Sequence, residues 1–283
     1  MYSNPITRLH PTAFVVLIDR SGSMKEKILF AGEEMPKSRA VALVANSFID
    51  ELLHRARREN GVCDYYDIAV LGYSGDGVES LLSPAGDFTS PSRLAASKVR
   101  REQITRERML PSGRSVVAVT AQNMWIEPKA AGITPMCGAM RDALVLLQKW
   151  CRRRTNAASY PPTLINITDG EASDGDEEAV RSLAAAIRAT GTADGNTLMI
   201  NIHLAKSCDT RPVLFPSSPD ELPAQRYARL LYDISGEMPA NYHDVIAAIR
   251  PGAAGPFRGM AYNSPVGDLV AMMNIGSINS VMI

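Results

Sequence analysis

Histidine, cysteine and tryptophan are scarce in this sequence: four, four and two among 283 residues. So few histidines leave little material for a zinc centre or a histidine proton relay. None of His10, His54, His203 and His243 has a placed catalytic neighbour or zinc-ligand spacing to a cysteine. Cys63, Cys137, Cys151 and Cys208 lie scattered with no Cys-x-x-Cys pair, so they read as buried thiols of a reducing compartment, not a disulfide frame. Net charge is missing too. With 30 basic and 30 acidic residues, no whole-chain field favours nucleic acid or an anionic membrane. No apolar run reaches the roughly 18 residues of a membrane span, and MYSNPITRLHPTAF lacks the basic-then-apolar order of a secretion signal. A cytoplasmic protein is expected. Local basic runs (Arg100, Arg101, Arg106 and Arg108; Arg152 to Arg154) read as solvated helix faces and a helix C-terminus.

Aromatics supply only 6 %, so Leu, Ala, Val and Ile must carry the burial within a 46 % hydrophobic chain. Their pattern is informative. AFVVLID (13–19), YDIAVLGYS (66–74), TLINITDG (163–170) and LMINIHLA (198–205) are short apolar runs, as expected of strands buried on both faces. Helical spacing runs over 36–58, 136–153, 176–190 and 226–234, with Gly61 suited to stop the first. Residues 78–82 fit a strand returning through Gly75-Asp76-Gly77, 256–263 a last strand and 266–273 a last helix. Residues 83–133 are least legible: a charged, helical piece over 92–108 and a strand at 115–120, read as an insertion. Strands alternating with helices predict a doubly wound α/β fold, a mostly parallel sheet with helices on both faces. In such sheets ligands bind beyond the carboxyl ends of the strands, where strand order reverses.

Oxygen donors collect at those ends. VVLIDRSGSM delivers Asp19, Ser21 and Ser23 where the first strand stops; GITPMCGAM places Thr134 before Pro135, where it is expected to cap the next helix; ITDGE ends a later strand in Asp169. Two carboxylates and three hydroxyls, with no nitrogen or sulfur, suit Mg2+, Mn2+ or Ca2+. Two carboxylates also leave a coordination position for water or an incoming acidic group.

Asp-x-Ser-x-Ser after the first strand, a mid-chain Thr-Pro before a helix and Thr-Asp-Gly after a later strand resemble the von Willebrand factor A (vWA) domain and its metal-ion-dependent adhesion site (MIDAS). DRSGSM is similar to the form common in bacterial stand-alone members. The resemblance implies a single Rossmann-like domain over 1–283, with its core at about 12–275 and an insertion at 83–133. By it, Ser21, Ser23 and Thr134 ligate the ion through hydroxyls, Asp19 and Asp169 hold it directly or through water, and a partner protein supplies a carboxylate. Function is then non-enzymatic, with Mg2+ the expected ion. Family association further implies partners such as a kinase, phosphatase or ATPase in bacterial stress or defence systems.

Other chemistries fit less well. A haloacid-dehalogenase-like phosphatase needs a second acid where Ser21 stands. Gly72-Tyr73-Ser74-Gly75-Asp76 misses the Gly-x-Ser-x-Gly elbow by one position, and no phosphate-cradling glycine loop is present. The acids from Asp169 to Glu178 miss the calcium-loop spacing; Asp174 or Asp176 is expected to cap the following helix. A Mg2+-dependent hydrolase or phosphotransferase, and an assembly subunit with a structural metal, are the alternative functions.

Overall fold

A computed structural model describes residues 2–30, 32–75, 77–109, 115–204, 211–264 and Met272. The last predicted helix (266–273) and Cys208 lie outside these residues, Met272 apart. In chain order the main elements are strand β1 (Thr12–Asp19), the hairpin β2 (Lys27–Phe30) and β3 (Glu33–Pro36), and helix α1 (Lys37–Ala56). They continue with β4 (Tyr66–Ser74), β5 (Gly77–Ser80), α2 (Pro91–Ala96), β6 (Arg100–Met109) and β7 (Ser115–Met124). Then follow α3 (Met136–Cys151), β8 (Thr163–Thr168), α4 (Glu177–Ala189), β9 (Leu198–Leu204), β10 (Val213–Leu214), α5 (Arg226–Ile234), α6 (His243–Ile249) and β11 (Met260–Ser264).

A seven-stranded sheet runs in the order β10-β11-β9-β8-β1-β4-β5. Its inner pairs β11/β9, β9/β8, β8/β1 and β1/β4 are parallel, and only the edge strands β10 and β5 run antiparallel to their neighbours. The alternation of a strand explains why β1 is apolar from Ala13 to Ile18. Phe14, Val16 and Ile18 share a core with Val41, Val44 and Phe48 of α1. Ala13, Val15 and Leu17 face the opposite core, with Met140, Leu147 and Trp150 of α3, Val180 and Ile187 of α4, and Leu231 of α5. The sheet is doubly wound. From β1 the chain moves outward to β4, then crosses back to β8 and on to β9 and β11, so strand order reverses at β1. The crevice between the carboxyl ends of β1 and β8 is therefore the topological switch point.

The segment expected to be helical over 92–108 is helical only over Pro91–Ala96 and then becomes β6, paired in register with β7 from Arg100↔Met124 to Met109↔Ser115. Its charges are answered within the strand and by its surroundings rather than along a helix. Arg100 bonds Glu102 and Glu127, and Glu102 also takes Arg39 of α1. Buried Asn46 fastens the ribbon's exit to α1. Its amide donates to the Ala42 and Ile126 carbonyls at 2.9 Å, and its oxygen accepts the Trp125 and Ile126 N–H groups at 2.9 Å. Gly61 does not stop α1, which ends at Ala56; it pairs with Arg58 at a positive φ of 121°. No helix among the described residues is long and apolar enough to cross a membrane.

Candidate functional site

Asp19 is the last residue of β1 and has no exposed surface. Its Oδ1 accepts the Ser21 N–H at 2.9 Å, which turns the chain sharply as the strand ends. Its Oδ2 accepts the Thr168 hydroxyl at 2.8 Å, reaching across to the end of β8. Ser21 is buried and Ser23 half-buried, with their hydroxyl oxygens 3.1 Å apart. The Ser23 hydroxyl donates to Asp169 Oδ1 at 2.6 Å. Asp169, also without exposed surface, accepts the Lys37 ammonium at its other oxygen, 3.0 Å away. One hydrogen-bonded chain thus runs Thr168–Asp19–Ser21–Ser23–Asp169–Lys37 across the switch point.

Thr134 stands outside this hydrogen-bonded chain. Its N–H donates to Ser173 Oγ at 3.0 Å, and its carbonyl accepts the Ser173 N–H at 2.9 Å. The Thr134 loop is placed by close backbone contact: the Gly22 N–H donates to the Gly132 carbonyl at 2.9 Å. Gly132 has φ 67°, and a Cβ there would stand 2.7 Å from the Gly75 Cα. Two loops cross here with no room for a side chain, and the positive φ favours glycine in any case. Thr134 does not cap α3 as expected. Pro135 occupies the cap position, and the free N–H groups of Cys137 and Gly138 are taken by Asp174 at 2.9 and 2.7 Å. Asp176 caps α4 through the Ala179 N–H at 2.9 Å. The two acids between which the sequence could not choose cap two different helices.

Burial raises the Asp19 carboxyl above its ordinary range; the Asp169 charge adds to the rise, while hydrogen bonds from Ser21 and Thr168 oppose it. Burial also pushes the Tyr73 and Tyr227 phenols up, keeping them neutral; Tyr227 donates to the Gly170 carbonyl and Tyr73 to Asn166 Oδ1. The donor chemistry fits a hard divalent cation. The dry Asp19 and Asp169 carboxylates feel each other's charge beside hydroxyl oxygens, with one buried ammonium, Lys37, against the pair, and a divalent cation would offset the rest. Among the described residues no three His, Cys, Asp or Glu side chains converge, so an ion here depends on hydroxyls as well as on the two acids.

Sequence reasoning assigned no role to Lys37 and Thr168, and it offered Asp174 as a cap for the following helix, α4, where it instead caps α3. Lys37 reads as an ordinary polar residue at a helix start; only its place in the first turn of an apolar helix could have flagged it. The serine-hydrolase reading of Ser74 finds no elbow, because β4 turns back into β5 with Ser74 paired to Gly77 instead of entering a helix. Gly72 lies under the Arg20 side chain, where a Cβ would come within 2.6 Å of Arg20 Cδ. Of the described cysteines only Cys137 is buried; Cys63 and Cys151 are half-buried. His203 is a core residue as expected, stacked on Tyr262 with ring centroids 4.4 Å apart.

No protein-family model matches the chain, and no curated protein matches it. Among solved structures it is similar to the von Willebrand factor type A protein from Catenulispora acidiphila, with TM-score 0.44 and 16 % identity over 79 % of this chain and 37 % of that one. It is also similar to the manganese-loaded TRAP protein of Plasmodium vivax, with TM-score 0.44 and 13 % identity over 94 % and 72 % of the two chains. A third likeness is to the vWF domain of the type V pili tip protein Mfa5 from Porphyromonas gingivalis, with TM-score 0.32 and 17 % identity over 58 % and 39 %. The chain thus spans well under half the length of the first and third of these.

Proposed function

We propose that this chain is a binding module of the vWA type and not an enzyme. It holds a divalent cation, Mg2+ first among those of this class, through Asp19, Ser21, Ser23, Thr134 and Asp169. A partner protein then docks by giving a carboxylate to the position the chain leaves open. One observation carries this reading: two fully buried carboxylates at the switch point are linked by Ser21, whose N–H bonds Asp19, and by the Ser21 and Ser23 hydroxyls, the latter bonding Asp169. Two buried carboxylates against the single buried ammonium of Lys37 leave negative charge in a dry site, which a bound cation would offset. The order of the three loops along the chain, each after its strand or before its helix, supports the same reading. When bound, the ion supplies a Lewis-acidic position for an acidic side chain. The chain's own residues hold that position by fixed turns: Asp19 by Ser21 and Thr168, the Thr134 loop by Ser173 and Gly22.

Calorimetric titration with Mg2+ and Mn2+ tests the site directly. The intact chain should bind one ion, and Asp19→Ala should abolish binding while remaining folded. Capture of a partner in Mg2+ and its release by EDTA should follow the same pattern. An Asp19→Ala variant that binds the ion as the wild type does, or a partner held equally in EDTA, would sink this function.

A further inference from the structure

Lys37 has no exposed side-chain surface, which is rare for a lysine unless it is paired. Its ammonium sits between two carboxylates: Asp169 Oδ2 at 3.0 Å, itself fully buried, and Glu26 Oε2 at 2.6 Å, about half exposed. The backbone builds this arrangement. The hairpin of β2 and β3 pairs Lys27 with Pro36, and just beyond that pair the Lys37 N–H donates to the Glu26 carbonyl at 2.9 Å. The hairpin thus returns the chain so that the first residue of α1 lands beside the loop that carries Ser23. Asp169 is divided between two neighbours, with Oδ1 facing the Ser23 hydroxyl and Oδ2 facing the ammonium.

We infer that Lys37 is a built-in counter-cation of the metal site, which orients Asp169, keeps the cluster folded without metal, and holds divalent-cation affinity down so that loading is reversible. This rests on the cation-binding reading above. The physical reason is charge balance in a dry site. Without Lys37, Asp19 and Asp169 would face each other with no compensating cation except a bound ion, and folding would become tied to the metal. With Lys37 in place, the metal-free state is tolerable, but an incoming ion meets a fixed positive charge on the far side of Asp169. Lys37 touches no partner in this scheme. It is a positioning residue that acts through Asp169.

The test is Lys37→Met, which keeps the apolar stem and removes the charge, beside the double variant Lys37→Met/Asp169→Asn. Mg2+ alone is the probe, read by calorimetry and by thermal melts in EDTA and in Mg2+. Lys37→Met should melt lower than wild type in EDTA, bind Mg2+ about tenfold more tightly, and show a larger Mg2+-induced rise in Tm. The double variant removes both members of the fully buried pair and leaves only the half-exposed Glu26 without its partner, so it should recover most of the metal-free Tm and lose Mg2+ binding. A residue with only a packing role would lower the melt equally with and without Mg2+. That result overturns the inference, as does unchanged or weaker Mg2+ binding by Lys37→Met, failure of Lys37→Met to fold in either condition, or a double variant no more stable than the single one. If the wild type itself binds no Mg2+, the cation-binding reading fails first; if it binds and Lys37→Met binds no better, the counter-cation role alone is refuted.

Discussion

Replacing Asp174 by alanine removes a clasp that no local pattern assigns to α3. The carboxylate accepts two N–H groups of the first turn of α3, from Cys137 and Gly138, at 2.9 and 2.7 Å. Loss of a side-chain cap costs about 0.5–2 kcal/mol. Loss of a negative charge at a helix N-terminus adds about 0.3–1 kcal/mol. Asp174 is half-buried, so water partly replaces it and the sum settles near 2 kcal/mol. At about 2–4 °C per kcal/mol for a chain of this size, the Tm should fall by about 4–8 °C. The effect should also reach the ion. Ser173, next in the chain, holds both the N–H and the carbonyl of Thr134, so loosening this loop frees a candidate ligand. Mg2+ affinity should drop severalfold. Asp176→Ala is the matched control, because Asp176 caps α4 through a single bond away from Thr134. It should cost about 1 kcal/mol and leave Mg2+ binding unchanged. Differential scanning fluorimetry with Mg2+ titration reads both quantities. The reasoning fails if Asp174→Ala melts within 1 °C of wild type, or if the two variants weaken Mg2+ binding equally.

Asp19→Asn should stabilise the metal-free protein at neutral pH. The raised Asp19 pKa means that its stability contribution is full in acid, below the unfolded value, and is lost as pH rises through the folded value. The variant's advantage should therefore vanish near pH 3.5 and reverse in saturating Mg2+, as melts in EDTA and Mg2+ at both pH values would show. Gly132→Ala must accommodate a positive φ and a Cβ 2.7 Å from the Gly75 Cα; chemical denaturation should show a loss of at least about 2 kcal/mol. Burial pushes the Cys137 and Cys151 thiols up to about 11, so about one in a thousand is thiolate at pH 8. Mass-resolved alkylation of the folded protein should be slow at both residues and speed up as pH rises; rapid modification at pH 8 would contradict their burial.

Much of the architecture was legible because it rests on local signals. A strand covered on both faces is apolar at most positions, as β1, β4, β8 and β9 are, so their places were readable. Of the ribbon, the strand expected at 115–120 falls within β7, but β6 was read as helix. It lies outside the main sheet and begins with the charged residues Arg100, Arg101 and Glu102, which are exposed or half-buried, so no apolar alternation announces it as a strand. The ribbon's fastening by Asn46 depends on residues about 80 positions apart. The short β2–β3 hairpin was missed for a similar reason: most of its residues are exposed or half-buried, and apolar period marks only what is covered.

By itself the sequence determined the first third of the site. Asp19, Ser21 and Ser23 fall within a single turn, which the Asp19 bond to the Ser21 N–H begins locally. The tertiary structure decided the rest. Asp169 reaches Ser23 across 146 residues and Lys37 across 132, and no local pattern records a meeting set by which strands lie side by side. The charge environment belongs to the fold for the same reason. A lysine at a helix start becomes a buried counter-cation only when the switch point between β1 and β8 closes over it, because burial, not residue type, sets the strength of a charge.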